Sequence, residues 1–128
     1  MKKISLPIKI RAKVVAGAGR GKRLGVPTIN LEPTSARDLP EGIWVAKVYL
    51  PQVYLGVLHF GPRPTFGEDK RTLEIHLLDF EEQVVVPKEV NVEIFSFIRP
   101  VLAFKTPQAM VKKIGQDIKV ARKLALRW

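Results

Sequence analysis

Apolar and polar residues alternate along several stretches of the chain. Residues 8–14 alternate between apolar and charged side chains, which is the pattern of a strand with one buried face. The runs 43–50 and 53–60 are rich in β-branched and aromatic residues, and only Pro51 and Gln52 separate them. Two such runs joined by two residues predict a hairpin.

Residues 72–80 form another alternating stretch. Successive side chains of a strand point to opposite faces. The period therefore places Glu74 and His76 on one face, and the leucine and isoleucine side chains beside them on the other.

Two further apolar runs come after this stretch. The short run 84–86 ends at Pro87 and is a possible short strand. Residues 90–98 alternate without interruption, so Ile98 is predicted to share a face with Val90. The chain thus carries five or six predicted strands, with turn-rich segments between them.

The periodicity changes after Phe104. Thr106 and Pro107 are typical of an N-cap and a first helical residue. Gly115 lowers the helix propensity by up to about 1 kcal/mol relative to alanine, and the sequence offers no reason for it. Apolar residues recur at spacings of three and four, which predicts one amphipathic helix, at Val111, Ile114, Ile118, Ala121 and Ala125.

Strands of even length followed by one helix predict an all-β fold, a small closed antiparallel barrel with the helix across its side or end. The 128 residues suit a single domain, 1–128, with one modest core. A hydrophobic content of 46% and a charged content of 27% are those of an ordinary globular protein. There is no cysteine, which excludes a disulfide scaffold and a thiolate metal site. No apolar stretch has membrane-spanning length and the first residues do not form a signal peptide, so we expect a cytoplasmic protein.

The net charge of +10 is concentrated at the two ends. Residues 1–23 contain eight Lys or Arg and no acid, and residues 105–128 contain seven against one aspartate. Residues 24–104 contain seven basic and eleven acidic side chains. Such ends suit a nucleic-acid surface or an anionic small substrate such as a nucleotide, and equally a solubilising surface.

The segment 17–30 combines features that phosphate binding requires. Its glycines let backbone N–H groups approach an anion closely, and its three cationic side chains can neutralise a polyphosphate. The side-chain oxygens of Thr28 and Asn30 suit a hard cation such as Mg²⁺. The spacing matches neither a Walker A loop nor a Gly-x-Gly-x-x-Gly turn, so a solvated turn remains an alternative.

Glu74 is the candidate catalytic residue. On the polar face of its strand, a carboxylate could remove a proton from a substrate hydroxyl. The alternatives are a cross-strand ion pair or an exposed glutamate. His76 is interpreted as a structural histidine, because no His or Cys stands at metal-binding spacing from it.

Six segments form a recognisable series of motifs. They run from about residue 10 to residue 124, and any one of them alone would be a weak signal. In chain order they are Gly17-x-Gly19-Arg20-Gly21-Lys22-x-Leu24-Gly25-x-Pro27-Thr28-x-Asn30-Leu31, Leu39-Pro40-x-Gly42-Ile43-Trp44, Gly61-x-Arg63-Pro64-Thr65-Phe66, Leu73-Glu74-x-His76-x-x-Asp79-Phe80, Phe97-Ile98-Arg99-Pro100 and Asp117-Ile118-x-x-Ala121.

With these motifs the chain resembles the riboflavin kinase (flavokinase) family, including the kinase module of bacterial bifunctional FAD synthetases. The resemblance implies a six-stranded Greek-key barrel that transfers the γ-phosphate of ATP to the ribityl 5′-hydroxyl of riboflavin, giving FMN. It implies Mg²⁺, with Zn²⁺ or Mn²⁺ as substitutes, and ATP as co-substrate. The partners would be riboflavin or FMN and ATP or ADP, with no nucleic acid and no membrane, and we expect a monomer. No domain for nucleotidyl transfer is visible, so the reaction is expected to stop at FMN.

The resemblance also implies the site residues. Glu74 would be the general base, and Thr28 and Asn30 would bind the metal. The flavin would contact Glu74, Arg99, Phe104 and Ile114. ATP would be bound by Gly17, Gly19, Arg20, Gly21, Lys22, Leu24, Gly25, Pro27, Thr28 and Asn30.

Two other functions stay open on the sequence alone. A basic β-barrel could hold single-stranded nucleic acid by stacking bases on exposed aromatic side chains. The aromatic residues of the strands, such as Trp44, Tyr54 and Phe60, occur mostly singly, which does not favour this function. An inactive flavin-binding module is the other alternative, and the presence of Thr28, Asn30 and Glu74 argues against it.

Overall fold

The computed structural model describes residues 5–16, 27–80 and 85–127. Within these residues, six strands precede one helix. The elements are β1 (Ile8–Val15), β2 (Thr28–Leu31), β3 (Gly42–Leu50), β4 (Gln52–Arg63), β5 (Glu68–Leu77), β6 (Glu89–Arg99) and α1 (Pro107–Ala125), with short 3-10 turns at Pro33–Ala36 and Pro64–Phe66.

The strands close into an antiparallel barrel in the order β1-β2-β5-β4-β3-β6. Strands β3, β4 and β5 form a meander, and β6 returns to lie beside β3, which is the Greek-key connection. The predicted fold class, a six-stranded antiparallel Greek-key barrel with one C-terminal amphipathic helix, is confirmed.

The barrel has one apolar core inside it and a smaller one outside. Trp44, Ala46 and Val48 of β3 point into the barrel, where they join the inward side chains of the other strands. Val45 and Val57 point outward and pack against α1. Strand β3 is therefore buried on both faces, which explains why 42–50 is almost continuously apolar.

The predicted strands agree with most of the observed ones. The strand over 8–14 and the hairpin around Pro51 are confirmed. Strand β5 begins at Glu68, earlier than predicted, and ends at Leu77, so Phe80 lies beyond it. The prediction of a strand over 84–86 is wrong for residues 85 and 86, and residue 84 lies outside the described residues.

The uninterrupted alternation predicted for β6 is wrong. The pairing with β3 shifts register twice, between Ile43 and Trp44 and between Val45 and Ala46. Each shift opposes an extra residue of β6 to β3 and reverses the facing of the residues beyond it. Val90 lies before both shifts and faces the barrel interior, whereas Ile98 is the extra residue at the shift beside Trp44 and packs under α1 with the outer cluster.

Helix α1 begins as predicted. The Thr106 hydroxyl accepts a hydrogen bond from the backbone N–H of Ala109 at 3.1 Å, and Pro107 occupies the first turn. Ile114 and Ala121 are buried against the barrel. Gly115 is exposed, and a Cβ added there would meet open space, so no contact explains this glycine. Within the described residues, no helix is both long and apolar enough to cross a membrane.

Candidate active site

A cavity lies outside the barrel, between the β3–β5 wall and the N-terminal half of α1. Val57 of β4 lines it from the barrel, Met110 and Ile114 from the helix, and Phe104 from the segment that joins β6 to α1. The backbone N–H of Phe104 donates to the Thr65 hydroxyl at 3.0 Å, which holds this segment over the cavity. These side chains form an apolar slot.

Polar side chains gather on the barrel side of the same cavity. They are mostly buried, although charged groups are seldom found inside proteins without a partner. The ionisable lining residues are His59, Arg63, Glu74, His76 and Arg99 from the barrel, and Asp117 from the facing side of α1.

Glu74 lies at the centre of this polar group. It is only 6% exposed, and the Arg63 guanidinium donates from Nη2 to its Oε2. Arg63 reaches the carboxylate after a register shift between Gly61 and Arg63 at the end of β4. Its Nε also donates to the Thr72 hydroxyl at 3.2 Å. The carboxylate is therefore fixed through one oxygen, Oε2.

His76 is buried two residues further along β5. Burial, assisted by the nearby Arg63 charge, lowers the pKa of His76 to about 4, because the charged imidazolium loses its hydration. The ring is thus neutral at physiological pH. Its Nδ1 lies 3.0 Å from the Thr28 hydroxyl oxygen, and its Nε2 lies 3.8 Å from Glu74 Oε1.

Thr28 and Asn30 stand directly beside these two residues on β2. The register pairs Thr28 with His76 and Asn30 with Glu74, so all four side chains share the outer face of the barrel wall. Among the described residues, no three His, Cys, Asp or Glu side chains converge as a metal-binding group. The hydroxyl of Thr28 and the amide of Asn30 instead fit Mg²⁺, which takes few protein oxygens and keeps waters and phosphate oxygens as its other ligands.

Arg99 and Asp117 form a second buried ion pair. Asp117 of α1 is 2% exposed and accepts three hydrogen bonds from Arg99 at 2.8–3.1 Å. The Arg99 guanidinium also lies 5.7 Å from the centre of the Phe104 ring, within cation–π range. The pair ties the helix to the end of β6 at the edge of the cavity.

His59 lies next to Glu74 across the β4–β5 ladder. Its Nε2 is 3.1 Å from the carbonyl oxygens of both Gly61 and Pro62, so this nitrogen carries the proton and donates. Burial lowers the pKa of His59 below its ordinary value. The ring holds the last residues of β4, Gly61 and Pro62, from which Arg63 extends.

The structure describes half of the predicted site residues and brings these into one region. Glu74, Arg99, Phe104 and Ile114 line one cavity, and Thr28 and Asn30 flank it on β2. Exposed Pro27 accepts a backbone hydrogen bond from Leu77 at 2.9 Å, which starts the β2–β5 ladder. The other predicted ATP-binding residues lie outside the described residues, and they are Gly17, Gly19, Arg20, Gly21, Lys22, Leu24 and Gly25.

Sequence reasoning did not assign four of the ionisable lining residues to the site. Arg63, His76 and Asp117 belong to the six motifs of the family resemblance, but nothing in the spacing shows that Arg63 meets Glu74 or that Asp117 meets Arg99. His59 carried no signal, since a lone histidine in an apolar strand is most often structural.

The chain is similar to known proteins along nearly its whole length. A family model for flavokinases, described as riboflavin kinase, matches residues 4–125. The riboflavin kinase of Mus musculus is 31% identical over 127 residues, which span 93% of this chain and 81% of that kinase. A trifunctional protein of Mycoplasmoides gallisepticum is 32% identical over 117 residues, 90% of this chain but only 18% of that protein.

The fold is shared as well. The crystal structure of riboflavin kinase from Trypanosoma brucei matches with a TM-score of 0.61 at 22% identity, covering 91% of this chain and 78% of that one. With the sequence match over nearly its whole length, this chain belongs to the riboflavin kinase family.

Proposed function

We propose that the chain transfers the γ-phosphate of ATP to the 5′-hydroxyl of the ribityl chain of riboflavin, giving FMN and ADP. The observation that carries the proposal is the placement of Glu74. It lies at the polar end of an apolar slot and directly opposite Asn30, one of the two residues suited to a metal. A flat, apolar ring system fits the slot, with its polyol chain directed to Glu74.

Glu74 acts in this proposal as the general base. Arg63 engages Oε2, and none of the described residues donates a hydrogen bond to Oε1, which leaves that oxygen to accept the proton of the 5′-hydroxyl. The hydroxyl oxygen then forms its bond to the γ-phosphorus while the bond from that phosphorus to the β–γ bridging oxygen breaks, and ADP leaves. Positioning and charge neutralisation supply most of the acceleration in such a transfer.

The metal is assigned to Thr28 and Asn30. When bound with the nucleotide, Mg²⁺ would neutralise phosphate charge. Both residues extend from one short strand whose alternate residues, Ile29 and Leu31, are anchored in the barrel core, so their oxygens are held on one rigid face. We propose Mg²⁺ as the ion, with Mn²⁺ or Zn²⁺ as substitutes. The flavin contacts and the ATP contacts of the glycine-rich loop belong to the same proposal.

The nucleic-acid alternative has little physical support. Trp44, Tyr54 and Phe60 are buried in the barrel core and cannot stack on bases. Tyr49 is half-buried and donates its hydroxyl hydrogen bond to Glu93. On β1, the Arg11 charge is paired with Glu89, which reduces the basic field of that face.

The direct test is to incubate the protein with riboflavin, ATP and Mg²⁺ and to separate the flavins by chromatography. FMN should accumulate in proportion to protein, and omission of the metal should abolish it. Absence of FMN with every divalent ion and nucleotide tried, while riboflavin still raises the melting temperature, would identify the inactive flavin-binding module instead.

A further inference from the structure

We infer that His76 is a positioning residue that orients the Thr28 hydroxyl for the metal. Its Nδ1 accepts a hydrogen bond from that hydroxyl, and its own proton stays on Nε2. The inference rests on the proposed function, because Thr28 is a metal ligand only if that function holds. It adds a residue that acts through Thr28 and does not itself bind the ion.

The contact is built into the barrel wall. Thr28 and His76 are directly paired across β2 and β5, and their polar atoms lie 3.0 Å apart. Both neighbours of His76 along β5, Ile75 and Leu77, are buried in the barrel core. The backbone therefore holds the ring in place, and the hydroxyl meets the same nitrogen whenever β2 is paired.

A neutral imidazole carries a proton on one nitrogen only. The other nitrogen, Nε2, faces the Glu74 carboxylate from 3.8 Å. That distance is too long for a hydrogen bond, yet an N–H dipole directed at a carboxylate is favourable and a nitrogen lone pair directed at it is not. Electrostatics thus places the proton on Nε2, which leaves Nδ1 as an acceptor for the Thr28 hydroxyl.

This tautomer determines whether the Thr28 hydroxyl directs its proton or its lone pairs away from the ring. A hydroxyl has one proton and two lone pairs. With the proton donated to Nδ1, the lone pairs of the oxygen point away from the ring, which is the orientation in which a hydroxyl oxygen ligates a cation. The opposite tautomer would donate to the hydroxyl oxygen and leave its proton free to point toward the metal, which a hard cation opposes. Hydrogen bonds behind a metal ligand orient it and change metal affinity by roughly 10- to 100-fold.

The tautomer is measurable without activity. The chain contains two histidines, so a long-range ¹H–¹⁵N spectrum of the labelled protein near neutral pH holds two ring patterns, which a His59→Asn variant assigns. The expected result is an unprotonated Nδ1 and a protonated Nε2 for His76. A protonated Nδ1 would overturn the inference directly.

Two variants of nearly equal shape isolate the acceptor. His76→Asn retains an amide atom near the position of Nδ1, whereas His76→Leu has a similar branched shape and no acceptor. Both lose the ring, so effects on flavin packing are shared between them. The leucine variant should need about 10-fold more Mg²⁺ for half-maximal FMN formation than the asparagine variant. Calorimetry should show the same difference for Mg·ADP binding and little difference for ADP without metal.

A control separates this effect from a loss of stability. Ile75→Val removes a methyl group from the same strand on its inner face, and its Mg²⁺ requirement should equal that of the wild type. If the asparagine and leucine variants show equal Mg²⁺ requirements while Thr28→Val needs more Mg²⁺ than the wild type, the inference fails and the proposed metal site stands. If the wild type makes no FMN, the proposed function fails, and the ring spectrum still decides the orientation of the hydroxyl.

Discussion

The two faces of the β4–β5 wall follow different physical rules. The inner face is entirely apolar in this region, with Leu58, Leu73 and Ile75 packed in the barrel core. The outer face, under α1, buries the ion pair Arg63–Glu74, and a second buried pair, Arg99–Asp117, joins β6 to α1 at the edge of the same cavity. Burying charges is costly unless each is paired and hydrogen-bonded. The comparison shows that the inner face stabilises the barrel, whereas the outer face holds charged groups where a substrate can meet them.

The largest effect is expected at Glu74, on the outer face. Glu74→Gln keeps the shape and an acceptor for Arg63 but removes the proton acceptor, so kcat should fall by roughly 10²- to 10⁴-fold. Steady-state kinetics measures kcat with the purified variant, once circular dichroism has shown that the variant is folded. Glu89→Gln, which changes an exposed carboxylate paired with Arg11, should retain the wild-type kcat. Turnover near the wild-type value in Glu74→Gln would exclude it as the base.

The Arg99–Asp117 pair tests whether buried charge tethers the helix. Asp117→Asn leaves the Arg99 charge without its counterion, and loss of one partner of a buried pair typically costs about 3–5 kcal/mol. Urea unfolding measures this free energy. The matched control is Asp79→Asn, which breaks an exposed pair with α1, Asp79–Arg122, where the Asp79 side chain is 77% exposed. The control should hardly change the unfolding midpoint, and equal losses in both variants would contradict the distinction.

On the inner face, the expected effect is on stability alone. Leu58→Ala should lower the free energy of unfolding by about 2–5 kcal/mol, since it leaves a cavity in a fully packed core. At a temperature where the variant is folded, its KM for riboflavin should match the wild type, because Leu58 points away from the cavity. A raised KM with unchanged stability would show that the two faces are not independent.

The buried histidines of the outer face make the stability of the fold depend on pH. The folded-state pKa of His76 lies near 4, below the ordinary value of 6.5, so the fold excludes a proton that the unfolded chain binds. Its contribution to stability is present above pH 6.5 and is lost as the pH falls toward 4, on the order of 3 kcal/mol in all. His59, whose pKa is also lowered, adds to the same trend. Urea unfolding across this range should show a steeper decline for wild type than for His76→Leu, and parallel curves would contradict the shift.

The smallest expected effect is at Gly115, on the solvent side of α1. Because a Cβ there meets open space, Gly115→Ala should raise the free energy of unfolding by about 0.5–1 kcal/mol. Thermal unfolding measures the gain, and kcat should stay unchanged. A lower melting temperature would show that the glycine has a structural purpose that its surroundings do not reveal.

Local periodicity was enough to predict the side-chain directions that matter most. The alternation of 72–80 put Glu74 and His76 on one face of the strand, opposite the neighbouring leucine and isoleucine, and the structure confirms this division. The Thr106 cap and the start of α1 followed from two neighbouring residues. These features depend on the pleat of a strand and the geometry of a helix terminus, which nearby residues determine.

The pairing of distant residues could not be predicted from the sequence. Strand β2 has four residues, too few for a periodic signal, and its pairing with β5 joins residues 48 positions apart. The register shifts that turn Ile98 under α1 and aim Arg63 at Glu74 arise when neighbouring strands of different curvature are closed into one barrel. Where a strand is regular, its sequence thus determines which side chains share a face, because that depends on the backbone of the strand itself. The partner of each side chain is decided only when the barrel closes, since the closure sets the register between distant strands.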